Sequence, residues 1–260
     1  MYDTFSTNYD RFVNWESRLE YEMPFIEEQL GGTKRGSGNK TSVLDTACGT
    51  GMHLQALAER GYQVAGADNS KGMISRTREY FIKADQDVEL AVAGFGELAQ
   101  AFIGKTGFPF NGILCLGNSL PHLLTLEDLD RSLADFAACL APGGMLMIQN
   151  RNFDAVMDNK DRWMTAQSFD EDDREWLFLR FYDLLPNGLI DFNIVTMQRK
   201  KGEEWQQEPV TTRLRPQSKT ELSEALEKAG FKSIAYYGSM AGEDFDPKTS
   251  GNLIAVAHKA

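Results

Sequence analysis

Ser42-Val43-Leu44-Asp45-Thr46-Ala47-Cys48-Gly49-Thr50-Gly51-Met52-His53-Leu54 decides the fold of this chain, together with Val64-Ala65-Gly66-Ala67-Asp68-Asn69-Ser70 that follows it. An apolar run that ends in small residues and opens into helical spacing reads as strand, tight loop and helix. The second run reads as a neighbouring strand that ends in an acid. The pair has the form of a nucleotide cradle with a carboxylate placed for ribose hydroxyls.

The glycines narrow the ligand. A dinucleotide loop wants a third Gly or Ala where helix and strand pack closely, and Leu54 holds that place here, which disfavours NAD. A phosphate loop is excluded because no Lys-Ser or Lys-Thr pair follows the glycines. Asp45, just before the loop, would repel a phosphate and suits an amine. S-adenosylmethionine carries an amine, a carboxylate, a sulfonium and a ribose, and no phosphate.

Asp45-x-Ala-Cys-Gly-Thr-Gly with Asp68 one strand later resembles the cofactor motif of class I S-adenosylmethionine-dependent methyltransferases. The resemblance extends over the chain apart from the region of Asn152 to Pro216. It implies that Gly49 and Gly51 let the backbone approach the methionyl group, that Asp45 lies near its amine, and that Asp68 takes the ribose hydroxyls. Ala47, Asn69 and Leu116 belong to the same expected cofactor-binding set. An ordinary loop or cap role for Asp45 and an ordinary tight turn for the glycines are the alternatives.

The chain alternates strand and helix from Ser42 onward: strands at Ser42–Asp45, Tyr62–Asp68, Asp87–Ala93, Phe110–Gly117 and Gly144–Asn150, with helices at His53–Arg60, Lys71–Lys83 and Leu126–Leu140. The last of these strands follows an Ala141-Pro142-Gly143-Gly144 turn. Such alternation predicts a mostly parallel α/β sheet of Rossmann-like kind, with sites at the carboxyl ends of its strands. After Asn150 the period changes. Glu175–Tyr182, Gly188–Gln198 and Glu208–Leu214 read as inserted antiparallel strands, and Lys219–Ala229, Phe231–Tyr237 and Asn252–His258 return to the core. The acidic run Asp170-Glu171-Asp172-Asp173 reads as a solvated loop or helix start.

Ahead of the core, Phe12, Trp15, Leu19, Met23, Ile26 and Leu30 share a face at helical spacing in a helix from Tyr9 to Leu30. Gly31 to Thr41 reads as a linker. The expected division is residues 1–40 as a helical lid and linker, 41–151 with 217–260 as the cofactor-binding core, and 152–216 as a substrate-side insert.

Leu114-Cys115-Leu116-Gly117-Asn118-Ser119-Leu120-Pro121-His122-Leu123 and Ile148-Gln149-Asn150-Arg151-Asn152-Phe153-Asp154 lie at two strand ends. Together they resemble the Leu-Gly-Asn-Ser-x-x-His-Leu and Arg-Asn-aromatic-Asp segments of glycine N-methyltransferase and its bacterial relatives. That resemblance implies that Asn118 helps bind a small amine and that Arg151 holds the acceptor carboxylate, a role suited to a planar guanidinium. His122 is a candidate base or a loop tie, Asn118 is also at home as a turn residue, and Arg151 could instead pair with Asp154. Arg18 resembles the family arginine that reaches the cofactor carboxylate, with an exposed helical charge as its alternative. Tyr9 and Trp15 could line the same end.

One departure from the wider family is clear. Ala93-Gly94-Phe95-Gly96 offers no acid for the adenine amine after the third strand. The backbone near Gly94 and the ring of Phe95 are the expected substitutes, with Met73 as a second wall. Glu175, Arg180, Tyr182 and Arg213 in the insert either meet the acceptor or form cross-strand pairs.

Composition bounds the rest. With 260 residues, 42% of them apolar, the chain can fill one α/β core with an elaboration. Its 27 basic against 38 acidic residues, net −11, work against docking on nucleic acid. Cys48, Cys115 and Cys139 are widely spaced among small or apolar residues and read as buried thiols. The absence of a signal-like start or a spanning apolar run leads to an expected cytoplasmic protein with no membrane association. The resulting expectation is an S-adenosylmethionine-dependent methyltransferase needing no metal and acting on a small-molecule acceptor, a glycine- or sarcosine-like amine, with its oligomeric state open. Alternatives are O-methylation of another small molecule, a non-catalytic S-adenosylmethionine binder and, last, an oxidoreductase.

Overall fold

The computed structural model describes residues 11–31 and 40–260. Tyr9 and most of the expected linker lie outside the described residues. Seven strands form the central sheet: β1 (Ser42–Asp45), β2 (Gln63–Asp68), β3 (Glu89–Val92), β4 (Phe110–Cys115), β5 (Leu140–Arg151), β10 (Phe231–Tyr237) and β11 (Asn252–Lys259). Their order is β10-β11-β5-β4-β1-β2-β3. The strands from β3 to β5 are parallel, and β11 and β10 close one edge antiparallel. The order reverses between β1 and β4, and a crevice opens at the carboxyl ends of strands at such a switch point.

Alternating residues of the central strands feed two apolar layers. Leu114, Met145 and Met147 join the layer under α1 (Trp15–Gly31), α2 (Met52–Glu59) and α3 (Lys71–Lys83). Cys115, Leu146 and Ile148 join the layer under α4 (Leu98–Phe102), α5 (Leu126–Cys139) and α7 (Lys219–Lys228). Both faces are covered, so these strands read as continuous apolar runs rather than as alternation. The three cysteines are buried and free. None of the described helices is long and apolar enough to cross a membrane.

The second sheet is antiparallel, in the order β6-β7-β8-β9: β6 (Gln167–Glu171), β7 (Arg174–Leu184), β8 (Ile190–Lys200) and β9 (Gln206–Leu214). The acidic run is solvated, half of it strand end and half of it hairpin turn, and no helix starts there. Asp170 and Glu171 end an edge strand and Asp172, at φ +54°, turns the hairpin. Charges on an edge strand keep it from pairing with other chains.

Three further differences from the sequence reading have local causes. The Ala141–Gly144 turn sits inside β5 as a bulge, because Phe110 pairs with Leu140 while Gly112 already pairs with Met145. A short helix, α6 (Phe153–Asn159), begins where the Asn152 side chain accepts the Ala155 N–H. The N-terminal face is broken at Asn14, whose side chain accepts the Ser17 N–H and starts α1 afresh. Met23, Ile26 and Leu30 pack on the core, whereas Phe12 leaves that face and stacks edge-on against Phe178 of the second sheet at 5.5 Å.

Candidate active site

The crevice at the switch point opens into a cavity of about 870 Å³, toward the upper end of the roughly 300–1,000 Å³ of small-molecule sites. Its floor is the loop after β1. Gly49 (φ +56°) and Gly51 (φ +84°) both take the left-handed backbone that glycine adopts freely. At Gly51 a side chain has no room as well, since a Cβ there would meet the Thr77 methyl at 2.5 Å. Thr77 Oγ1 donates to the Gly49 carbonyl at 2.9 Å and so fixes the loop from α3.

Asp68, at the end of β2, is held by two backbone donors, the Gly49 N–H on Oδ2 at 3.0 Å and the Ser70 N–H on Oδ1 at 2.8 Å. The carboxylate lines the cavity. Ala47, Asn69, Met73, Gly94 and Phe95 line the same end. Phe95 is steadied edge-on by Phe136 at 5.6 Å.

Glu97 also lines the cavity, and its Oε2 accepts the Gly94 N–H at 3.1 Å. A turn that folds back thus brings an acid, three residues beyond Gly94, to the strand end where Ala93–Gly96 has none. Its sequence signal was Gly96, at φ +87°, which reverses the chain and brings Glu97 over the strand end.

The remaining expected cofactor residues lie behind this wall. Asp45 is 2% exposed and accepts the Ala47 N–H at 3.2 Å beneath the loop. Burial pushes its carboxyl up to about 6, against the pull of His53 and the Ala47 amide. The Leu116 side chain is in the core, and its carbonyl accepts the Ser119 hydroxyl at 2.8 Å. Gly51 serves as the left-handed start of α2.

Arg18 does not line the cavity. Its guanidinium reaches Glu22 at 3.1 Å and Gln149 Oε1 at 3.4 Å, and lies over the Trp15 ring. Glu22 also takes His53 Nε2 at 2.7 Å and Gln149 Nε2 at 3.1 Å. Burial opposes ionisation of Glu22, but the bond to His53 and the Arg18 charge outweigh it and bring the carboxyl down to about 2. Gln149 Oε1 in turn accepts the Gly117 N–H at 3.1 Å. A buried polar knot therefore joins α1, α2, β5 and the loop after β4. The sequence reading missed Glu22, His53 and Gln149, because polar residues inside apolar runs carry no local spacing signal.

At the opposite end the expected acceptor residues come together. Asn118, His122 and Arg151 all line the cavity. Asn118 is a turn residue at φ +63°, and its Oδ1 accepts the Arg151 N–H at 2.8 Å. Arg151 does not pair with Asp154, whose Oδ2 accepts the Lys219 N–H at 3.0 Å. Asn152 is tied to the carbonyls of Pro247 and Ser250, and Phe153 is buried against Tyr182. Of that segment, Arg151 is the side chain that lines the cavity.

His122 sits in a one-turn 3-10 helix, Leu120–His122. Burial lowers its imidazole to about 4, so it is neutral at physiological pH.

The insert separates into two faces as strand alternation requires. Arg180 and Tyr182 of β7 line the cavity, with Phe192, Ile194 and Thr212 beside them. Glu175 pairs with Arg199 at 2.5 Å and Arg213 with Asp191 at 2.6 Å, both across strands and away from the cavity. Burial pushes the Tyr182 phenol up to about 12, so it stays protonated.

Comparison with known proteins agrees with this layout. A family model described as a methyltransferase domain matches residues 43–144. A glycine/sarcosine N-methyltransferase of Halorhodospira halochloris is 33% identical over 157 residues, which is 60% of this chain and 55% of that protein. The dTDP-3-amino-3,6-dideoxy-alpha-D-glucopyranose N,N-dimethyltransferase of Streptomyces fradiae is 33% identical over 116 residues, 45% of this chain and 42% of that one. The chain spans about half the length of the curated relatives it matches. Among solved structures, an S-adenosylmethionine-dependent methyltransferase from Clostridium acetobutylicum superposes over 100% of this chain and 99% of its own, with a TM-score of 0.77 at 16% identity. Residues 43–144, which hold the glycine loop and Asp68, thus match a methyltransferase domain, the chain is similar to the glycine/sarcosine N-methyltransferases over 60% of its length, and its fold is that of the solved S-adenosylmethionine-dependent methyltransferase.

Proposed function

We propose that the protein methylates the nitrogen of a small carboxylate-bearing amine, of glycine or sarcosine type, with S-adenosylmethionine as donor. The observation that carries this reading is the segregation of charge along one cavity. Asp68 and Glu97 stand at the β2 and β3 ends, and Arg151 stands at the β5 end. The printed names of the relatives, which methylate glycine, sarcosine or amino sugars at nitrogen, support nitrogen as the atom methylated.

The residues present fit the donor. Asp68 lines the cavity as a carboxylate suited to ribose hydroxyls, Glu97 and the Gly94 backbone offer partners for the adenine edge, and Met73 and Phe95 offer apolar walls. Gly49 and Gly51 keep the loop close to the methionyl group, and Asp45 places a negative charge beneath it. When bound, S-adenosylmethionine supplies an electrophilic methyl on a sulfonium.

The protein's own contribution is alignment and exclusion of water. Well-oriented reactants gain on the order of 7–11 kcal/mol over a bimolecular encounter. Arg151 holds the acceptor carboxylate through paired N–H donors, and Asn118 fixes Arg151's backbone while presenting its amide to the cavity. The acceptor must present a neutral nitrogen, and the aromatic surroundings of Phe12, Tyr182 and Phe192 favour the uncharged amine by desolvation. His122, neutral in this range, orients the amine as a hydrogen-bonding partner, and the displaced proton leaves to solvent. In this reading 41–151 and 217–260 are the cofactor core and 152–216 the substrate side, while the described helix at Trp15–Gly31 packs on the core.

The test is a panel of amines incubated with S-adenosylmethionine, with S-adenosylhomocysteine and the methylated amine measured by mass spectrometry. Turnover of carboxylate-bearing amines is expected, and Arg151→Ala should raise their KM by about 10–100-fold, the loss of charge-assisted hydrogen bonds. Unchanged acceptor affinity in that variant would remove the main support. Cofactor binding without product from any amine would leave a binding protein.

A further inference from the structure

Arg180 is the anomaly of the insert. The cavity-facing row of β7 runs Trp176, Phe178, Arg180, Tyr182, and its three aromatic members are buried to 3% exposure or less. Around Arg180 the cross-strand neighbours on β8 are apolar, Ile194 opposite Arg180 and Phe192 opposite Tyr182. A half-buried guanidinium in such a row forgoes part of its hydration and is retained where something compensates it.

Within the protein the compensation is partial. Nη2 donates to Gln167 Oε1 at 3.2 Å, and the guanidinium lies over the Phe12 ring at 4.5 Å. Nε is buried and has no hydrogen-bond partner. Among the described residues no carboxylate forms an ion pair with Arg180 or with Arg151. Both line the same cavity; burial disfavours the charged form of Arg180, Tyr182 favours it, and the Arg151 charge adds to the disfavour. The two acids of the cavity wall, Asp68 and Glu97, belong to its other end.

We propose that Arg180 is a second anion-binding residue beside Arg151, and that the acceptor is accordingly an amine carrying two negative charges, a second carboxylate or a phosphate group, on a body that packs against Phe192 and Tyr182. The inference rests on the methyltransferase reading of the same cavity and narrows its substrate class. A singly charged amine such as glycine would pair with one guanidinium and leave the other without an anion in the same cavity. Arg180 acts on specificity, so its removal lowers the affinity for the dianionic acceptor.

The test is calorimetric titration of the full chain, saturated with S-adenosylhomocysteine, with acetate, succinate and inorganic phosphate near pH 8, where the last two are dianions. At least one dianion should bind ten-fold or more tightly than acetate, and the tighter of the two tells carboxylate from phosphate. Arg180→Gln should abolish that advantage and leave acetate binding unchanged, and Arg180→Lys should restore part of it. Equal binding of mono- and dianions by the unaltered protein, or an advantage that survives Arg180→Gln, would overturn the inference. Failure of the amine reading is distinct, because it would appear as an absence of methylated product with dianion binding intact.

Discussion

The side-chain oxygen of Asn118 accepts the backbone N–H of Arg151 at 2.8 Å, tying the loop after β4 to the last residue of β5. The same loop is held from below by Gln149, whose Oε1 takes the Gly117 N–H and whose Nε2 reaches Glu22 on α1. Acceptor end, core strand and N-terminal helix are therefore one mechanical unit.

Replacing Asn118 separates its two roles. Asn118→Ala should lose about 1–2 kcal/mol from the left-handed backbone and loosen Arg151. Asn118→Gly should recover the backbone cost but not the bond to Arg151. Urea unfolding should show the glycine variant to be the more stable of the two, while both show a raised acceptor KM with unchanged cofactor affinity.

Gly51→Ala should be among the most damaging changes in the cofactor loop. Its Cβ would enter a left-handed backbone and meet the Thr77 methyl at 2.5 Å. Weakened S-adenosylhomocysteine binding and a loss of stability of a few kcal/mol are expected, typical of overpacking plus backbone strain. Adding Thr77→Ser removes the methyl, and should restore part of the stability while leaving the backbone strain in place.

Two buried carboxyls give opposite pH slopes. Glu22 is lowered to about 2, so its contribution is full above its ordinary 4.5 and is lost as the pH falls toward 2. At about 1.36 kcal/mol per pH unit this amounts to roughly 3 kcal/mol. Asp45 is raised to about 6, so it weakens the fold progressively as the pH climbs from about 3.8 to 6. Glu22→Gln should flatten the acid limb of the stability profile. Asp45→Asn should make the cofactor-free protein more stable at pH 7 and bind cofactor less well. Denaturant midpoints between pH 3 and 8 check both signs.

His122 should leave no mark on the pH–rate profile between 6 and 9, because burial holds it neutral down to about 4. In that range kcat/KM should follow deprotonation of the acceptor amine. His122→Asn should cost less than about tenfold in kcat, below the 10²–10⁴ of a true general base. A hundredfold loss with an inflection near 6.5 would assign it the proton.

The cradle was legible because its signals are local: Gly49, Gly51 and Asp68 sit at spacings that backbone geometry imposes. Arg151 and Asn118 were legible as strand-end residues, although the bond between them was not, since it joins positions 33 apart in sequence. Glu97 escaped because only a left-handed turn at Gly96 brings it to the crevice. The Glu22 knot escaped because four elements must pack before its members meet. In the insert, alternation identified strands, but which face met the cavity depended on docking. That choice separated Arg180 and Tyr182 from Glu175 and Arg213.

The central claim is that the cradle of Gly49, Gly51 and Asp68 holds S-adenosylmethionine, and calorimetric titration of wild type and Asp68→Ala with S-adenosylmethionine and S-adenosylhomocysteine tests it most directly. One-to-one binding by the wild type, weakened ten-fold or more in the variant through loss of charge-assisted bonds, is the predicted result. No binding by the wild type, or equal affinity in Asp68→Ala, would contradict it.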